Sequence, residues 1–504
     1  MESSRNENDA SRILDVWMVP LPFFSHVVCF SHFAQKLARQ GLRVTFFANN
    51  DDINRLKSSP NRSWKLDGLD IHFRALDMQA AALADGVGGC ERFVGPFEQA
   101  EGAFAAILRN ELEGGSKPDY VIADYFVLHG ITETTNLYKI PACVYFTCSS
   151  GYLAGSAYIN ELILEGLFNI PGSYMDPKAL REVISVPGQP LMKLFELGDE
   201  NYVDAPLYHR RVKNLDALIK LDVVLLSCFE ELEEQSLQGL ASVLNACAAK
   251  KGRKMPHIWP VGPAFSFISV GNSRESQQDD HPCLKFLDKH PPSSVVYVAF
   301  GNDVNLPLEQ IHELIYGLES SQQPFLCALQ PPSNESNPDQ LQEIESILPA
   351  EFLARTAGRG MFVKWAPQIE VLSHPSTGGF ITHCGQNSVL ESVSKGVPIL
   401  AWPFLYDQFQ NARYLVDGAR IAVEVCPGVI PGQLVDRKQL ESSINTLFRT
   451  DEGAALRKRA LQMKLKAEET VGPNGSSTKN MQAFLQVIRA GASSKIELSN
   501  LQLK

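Results

Sequence analysis

The 504-residue sequence has no surplus of basic charge: 46 Lys and Arg stand against 57 Asp and Glu, a net charge of −11. A nucleic-acid binder, or a protein held on an anionic membrane, would carry a basic face, so neither partner is expected. No apolar run reaches the ~20 residues a transmembrane helix needs. The opening MESSRNENDASR lacks a basic stretch followed by a long apolar one, so no secretory signal is read there. Ten cysteines lie scattered and none forms Cys-x-x-Cys, which points to reduced thiols in a cytoplasmic protein rather than a disulfide framework. No His, Asp or Glu grouping has metal-ligand spacing. No repeat of solenoid length occurs. Three N-x-S sequons, at Asn61, Asn334 and Asn474, read as chance matches without a secretory route.

What is present is alternation. Apolar runs at Ile13–Val19, Leu42–Ala48, Ile71–Leu76, Tyr120–Ala123, Ala142–Phe146 and Leu221–Cys228 read as buried strands separated by helical patterns. That is the mark of parallel βαβ units. The chain then changes character. PHIWPVGPAF is proline-rich, SVGNSRESQQDDHP has no period, and residues 261–293 read as an interdomain linker. Alternation restarts at Ser294–Phe300 and continues through Phe325–Leu329, Met361–Lys364, Gly379–Thr382, Pro398–Ala401 and Ile421–Val425. The expectation is an α/β protein of two Rossmann-like halves: residues 12–260 and 294–475, with 476–490 a last helix packing back on the first half. A ligand would lie between them, at the C-terminal ends of the strands.

The chemistry concentrates in residues 365–408, WAPQIEVLSHPSTGGFITHCGQNSVLESVSKGVPILAWPFLYDQ. A strand runs into His-Cys-Gly-Gln-Asn-Ser and then a helix. Gly385 permits close backbone approach, and Asn387 and Ser388 sit at a helix N-terminus, whose free N–H groups suit a phosphate. His383 can donate to that phosphate. Glu391, one turn on, can accept from sugar hydroxyls. Trp365 offers a flat face for a base, and Asp407 and Gln408 offer a carboxylate and an amide to a polyol.

This 44-residue stretch resembles the signature box of plant family-1 glycosyltransferases that use UDP-sugars. The resemblance implies the GT-B architecture, with acceptor held by the first domain and nucleotide sugar by the second. It implies that Trp365 stacks on uracil, the Ala366 backbone reads the uracil edge, and Gln368 and Glu391 hold the ribose. His383, Asn387 and Ser388 would bind the diphosphate, and Asp407 and Gln408 the sugar, with the final Gln leaning towards glucose. UDP-sugar would be a co-substrate, with no cofactor or metal. Two positions depart from the family: Gln386 stands where Trp is usual, and Asn302 replaces Ser after Phe300-Gly301. The expected consequence is a looser, more polar sugar pocket.

In the family the loop after the first strand ends in Gly-His, and that His is the general base. Here the loop is PFFSH, so His26 is the candidate base and Ser25 replaces the glycine. Asp124, closing YVIAD, is placed to orient His26; its other reading is a helix cap. Phe23, Phe24, Phe126, Phe146 and Tyr152 follow strand ends and are candidates for an apolar acceptor pocket. His32 reads as structural, and Glu230, Glu231, Glu233 and Glu234 as a solvated helix face. The implied activity is inverting transfer of glucose from a UDP-sugar to a hydroxyl of an apolar phenolic, flavonoid or terpenoid by a monomer. The rival readings are a catalytically weak nucleotide-sugar-binding protein and a nicotinamide oxidoreductase. The latter is disfavoured because no Rossmann glycine fingerprint follows the first strand.

Overall fold

A computed structural model describes residues 12–58, 68–76, 91–167, 178–198, 205–264, 281–301, 304–330, 344–426 and 433–492. The first half contains β1 (Asp15–Val19), β2 (Arg43–Ala48), β3 (Ile71–Ala75), β4 (Tyr120–Asp124) and β5 (Ala142–Phe146). It continues with β6 (Val183–Ile184), β7 (Met192–Lys193), β8 (Val223–Leu226) and β9 (His257–Pro260). Seven of these form one sheet in the order β3-β2-β1-β4-β5-β8-β9, while β6 and β7 make a small antiparallel pair. The second half holds β10 (Val295–Ala299), β11 (Phe325–Ala328), β12 (Gly360–Val363), β13 (Thr377–Thr382), β14 (Ile399–Ala401) and β15 (Ala422–Glu424). Their order is β12-β11-β10-β13-β14-β15. Every neighbouring pair in both large sheets is parallel.

Strands buried on both faces need apolar residues at odd and even positions alike, which is why they read as continuous runs. In the first sheet Trp17, Val19, Val121, Ala123, Val144 and Phe146 point to one core. Val16, Met18, Ile122, Tyr145, Val223 and Leu225 point to the other. The helix Ser476–Ala492 supplies Met481, Phe484 and Ile488 to that second core. In the second sheet Val296, Val298 and Ile381 face one core and Val295, Tyr297 and Phe380 face another.

Each sheet reverses its order beside its first strand, between β1 and β4 and between β10 and β13. The crevice at such a switch point, at the carboxyl ends of the strands, is where open α/β sheets bind ligands. His26 and Asp124 follow β1 and end β4; Gly301 and His383 follow β10 and β13.

One expectation needs correction. The expected linker at 261–293 is partly domain structure; it begins directly after the edge strand His257–Pro260, where a proline costs no ladder hydrogen bond. Pro282–Leu287 is a helix that buries Cys283, Phe286 and Leu287 in the second domain. Residues 265–280 of that stretch lie outside the described residues. The nine described cysteines are unpaired.

Candidate active site

His26 lies in the first turn of the helix Phe24–Ala38 and Asp124 at the end of β4. Their side chains meet: Nδ1 of His26 is 2.8 Å from Oδ2 of Asp124. An ionised carboxylate can only accept, so the imidazole proton sits on Nδ1 and Nε2 carries the lone pair. Asp124 is fully buried, while His26 keeps part of its ring open. The other oxygen, Oδ1, accepts from the Phe126 N–H at 3.2 Å, capping a short 3₁₀ helix. Orienting the histidine and capping the helix are thus both done by one residue, one oxygen each. Thr147 Oγ1 also lies 2.9 Å from His26 Nδ1. Sequence reasoning missed this residue; its only signal was its place directly after β5. Phe126 meets the His26 ring edge-on at 5.5 Å.

Across the cleft, Gly385 caps the helix Gln386–Lys395. A Cβ on Gly385 would lie 2.4 Å from His383 Nε2, and one on Gly301 would lie 3.0 Å from the same atom. The imidazole therefore occupies space that two glycines leave open. Burial pushes the His383 pKa down to about 4, so near neutrality the ring is an uncharged hydrogen-bond donor. Gln368 Nε2 donates to Ser388 Oγ at 3.1 Å and to Glu391 Oε2 at 2.8 Å, while its Oε1 accepts from the Tyr297 hydroxyl at 3.3 Å. Burial raises Glu391 to about 7. Ala366 is buried, whereas Trp365 is 46% exposed and free to stack.

Asp407 Oδ2 accepts from Asn411 Nδ2 at 2.8 Å, and the same amide donates to the Cys384 carbonyl at 2.9 Å. Asn411 thereby ties the two donor-side loops together, a role the sequence reading did not find. Burial raises Asp407 to about 6, opposed by the hydrogen bond from Asn411. Gln408 Oε1 accepts from the Phe404 and Leu405 N–H groups, both at 2.9 Å. Its Nε2 therefore remains as the end that can donate to a hydroxyl. Cys384 (φ 64°) and Tyr406 (φ 56°) adopt the left-handed conformation without being glycine. Each costs roughly 1–2 kcal/mol, and each directly precedes a donor-side residue.

Several expected site residues are placed differently. The Gln386 side chain is buried and donates to Glu233 Oε1 at 2.9 Å, so it does not line a looser sugar pocket. Glu233 in turn is 3% exposed and no part of a solvated face. Asn387 Nδ2 donates across the cleft to the Ser25 carbonyl at 2.9 Å. Phe24 packs on the opposite face of the first sheet from Phe126, with the Arg55 guanidinium 3.6 Å over its ring, away from any pocket beside His26. Phe146 and Tyr152 are closed into the core, stacked at 6.3 Å. Phe23 and Phe126 stay partly open and are joined by Phe97, which was not foreseen. Arg210 fixes this wall: its Nε donates to the Phe126 carbonyl at 3.0 Å, it pairs with Glu101, and it lies over Phe97. His32 is buried, as expected of a structural residue. Asn302 lies outside the described residues.

Two facing Rossmann-like domains with these carboxyl-edge residues are the GT-B arrangement. Residues 211–427 match the family model described as "UDP-glucoronosyl and UDP-glucosyl transferase". The chain is 31% identical over 367 residues to UDP-glycosyltransferase 88F4 of Malus domestica, covering 70% of this chain and 73% of that one. It is 29% identical over 500 residues to UDP-glycosyltransferase 72E3 of Arabidopsis thaliana, covering 94% and 97%. Among solved structures, Phytolacca americana UGT2 complexed with UDP-2fluoro-glucose and pterostilbene superposes with a TM-score of 0.75 at 26% identity, covering 96% and 99%. The chain belongs to the plant UDP-glycosyltransferases, and its co-substrate is a UDP-sugar. Among the described residues no group of three or more His, Cys, Asp or Glu side chains could hold a metal ion. No described helix is long and apolar enough to cross a membrane.

Proposed function

We propose that this enzyme transfers glucose from UDP-glucose, with inversion, to a hydroxyl of an apolar small molecule of the phenolic, flavonoid or terpenoid class. The observation that carries this reading is the bond from Asn387 to the Ser25 carbonyl, which sets the loop bearing the base against the turn that would hold the diphosphate. His26 Nε2 takes the acceptor's hydroxyl proton. The Nδ1 proton stays on the ring, and Asp124 balances the imidazolium. The acceptor oxygen attacks the anomeric carbon in line as the bond to the diphosphate breaks, and the electron pair leaves on UDP. His383, the Ser388 hydroxyl and the helix N–H groups at 386–388 stabilise that developing charge. Trp365 and Ala366 hold the uracil, Gln368 and Glu391 the ribose, and Asp407 and Gln408 the sugar hydroxyls.

Phe23, Phe97 and Phe126 form the acceptor wall beside His26, and the Phytolacca complex, which holds pterostilbene together with UDP-2fluoro-glucose, supports an apolar acceptor. On this reading residues 12–260 are the acceptor domain and 294–475, with the helix from Pro282, the donor domain. The protein works as a cytoplasmic monomer, and charge at the diphosphate is met by the groups named above rather than by a metal. A panel of phenolic and terpenoid alcohols with UDP-glucose, read by mass spectrometry, tests it; no glycoside formed with any acceptor would refute it.

Gln408→Ala should lower glucose transfer about tenfold, the size of one lost hydrogen bond to a polar group. Free UDP, lacking the sugar, should bind as before; equal loss for UDP and UDP-glucose would remove Gln408 from the sugar. Glu391 accepts best when ionised, and burial has raised its pKa to about 7. UDP affinity should therefore climb between about pH 6 and 8 by an increment that Glu391→Gln lacks. Comparing the two proteins by titration calorimetry cancels the titration of the diphosphate itself; parallel pH profiles would contradict the assignment.

A further inference from the structure

Gln386 and Glu233 belong to a buried polar chain that spans the two domains. Glu233 Oε2 accepts from the Ser150 N–H at 2.7 Å and from the Ser150 hydroxyl at 2.6 Å. Its Oε1 accepts from Gln386 Nε2 at 2.9 Å. Ser150 opens the helix Ser150–Leu164 of the first domain, and Gln386 opens the helix Gln386–Lys395 of the second. One carboxylate thus joins the N-termini of two helices, the end of each at which the dipole favours negative charge. The Ser150 N–H and hydroxyl, the Gln386 amide and the Cys228 thiol all point at it as donors, so it serves as an acceptor throughout.

The helix carrying Glu233 is built for this. Glu230–Lys250 is broken at Glu233, where φ −118° and ψ 27° are not helical. The break aims the carboxylate between the domains. The adjacent Leu232 carbonyl accepts from the Tyr414 hydroxyl of the second domain at 3.0 Å. Phe229 and Leu232 are buried among Ile369, Cys384, Val389 and Leu390 of the second domain, sealing the polar chain with apolar side chains. One hydrogen bond, from Gln386, and an apolar plug therefore pass from this kink to the turn that precedes Asn387 and Ser388, while the Tyr414 bond ties the kink to a second point of the same domain.

We infer that Glu233 is a positioning residue which, through Gln386, holds the phosphate-binding turn against the acceptor domain. This rests on the glucosyl-transfer reading and adds to it what residue 386 does. Its side chain sets the distance between donor and base instead of touching the sugar. Misplacing reacting groups by about 1 Å can cost ~100-fold in rate, so a loosened joint is visible in kcat even when each domain still binds its own ligand.

The test uses Gln386→Leu, Glu233→Gln and the double variant of the full chain. In Gln386→Leu, kcat should fall about tenfold or more while UDP affinity stays within about twofold, because the turn's backbone is intact. The rates with UDP-glucose, UDP-galactose and UDP-xylose should fall in the same ratio. The double variant should be no worse than the poorer single one, since both break one chain. Hydrogen exchange at the amides of 150–152 should speed up in Gln386→Leu, although the substitution is in the other domain. Altered donor ratios, additive rate losses, or unchanged exchange at 150–152 would each overturn the inference. If Glu233→Gln does not fold, Gln386→Leu alone decides through its donor ratios and exchange. Wild-type transfer to the acceptor panel tests the underlying reading separately: its failure removes the sugar chemistry, while the exchange at 150–152 still reports on the joint.

Discussion

Replacing His26 with alanine should lower turnover on an alcohol acceptor by about 10²–10⁴-fold, the usual cost of losing a general base. UDP affinity should not change, because His26 is carried by the first sheet and the nucleotide residues by the second. Asp124→Ala should cost less in rate but more in stability. It removes the partner at 2.8 Å that fixes the imidazole and also the acceptor for the Phe126 N–H. A lost cap is worth about 0.5–2 kcal/mol, so a fall in melting temperature should accompany Asp124→Ala and be absent from His26→Ala. Steady-state kinetics with an aliphatic alcohol, alongside thermal denaturation, reads both. A strongly acidic phenol would mask the effect, since it ionises unaided. A His26→Ala protein with near-normal rate on the alcohol would remove His26 from the chemistry.

Gly385→Ala should be nearly as damaging for a different reason. The backbone at Gly385 (φ −62°, ψ 142°) is one any residue adopts, so the substitution carries no conformational strain. The added Cβ would, however, lie 2.4 Å from His383 Nε2 and 3.1 Å from its Cδ2. A Cβ on Gly301 would also lie 3.0 Å from that nitrogen, so the ring fills space that both glycines leave open. His383 must swing out of the place from which it donates. Losing a hydrogen bond to a charged group costs about 1.5–3 kcal/mol, so UDP affinity should drop about 10–100-fold. Gly102→Ala, where nothing lies within 4 Å of the new carbon, is the control and should leave affinity untouched. Calorimetric titration of both proteins with UDP checks it; unchanged binding in Gly385→Ala would mean that His383 contributes nothing to the nucleotide.

The central strands were legible because they are buried on both faces and so write unbroken apolar runs into the chain, unlike the partly exposed edge strand Ile71–Ala75. The residues proposed to hold the donor could be picked out together because they fall within one segment, 365–408, built on the strand–turn–helix Thr377–Lys395 and its flanking elements. What could not be read depended on contacts made far along the chain. Glu233 looks like any acidic residue at the start of a helix, where a charge is ordinarily solvated and favoured by the dipole. Only the kink, and a helix N-terminus brought to it from residue 150, make it a buried acceptor. Gln386 was expected to reshape the sugar pocket because its neighbours in sequence face the donor, yet the first residue of a helix can turn its side chain away from the ligand its N–H serves. Thr147 and Asn411 carried no motif at all. Phe24 was misplaced because adjacent residues entering a helix point about 100° apart, which sends Phe23 and Phe24 to opposite faces of the sheet.

The helix Ser476–Ala492 has a practical consequence for building hybrids of this enzyme. Its Met481, Phe484 and Ile488 complete a core of the first domain, and Asn480 Nδ2 donates to the Pro260 carbonyl at 2.9 Å. The polypeptide therefore leaves the first domain once and returns to it through this helix. A recombination that exchanges everything after the linker imports a foreign tail into a surface it never evolved beside. Transplanting the second domain calls for two junctions, one before Pro282 and one near Gly475, with the native tail retained; a single-junction hybrid begins with a mismatched apolar seam on one face of its first sheet.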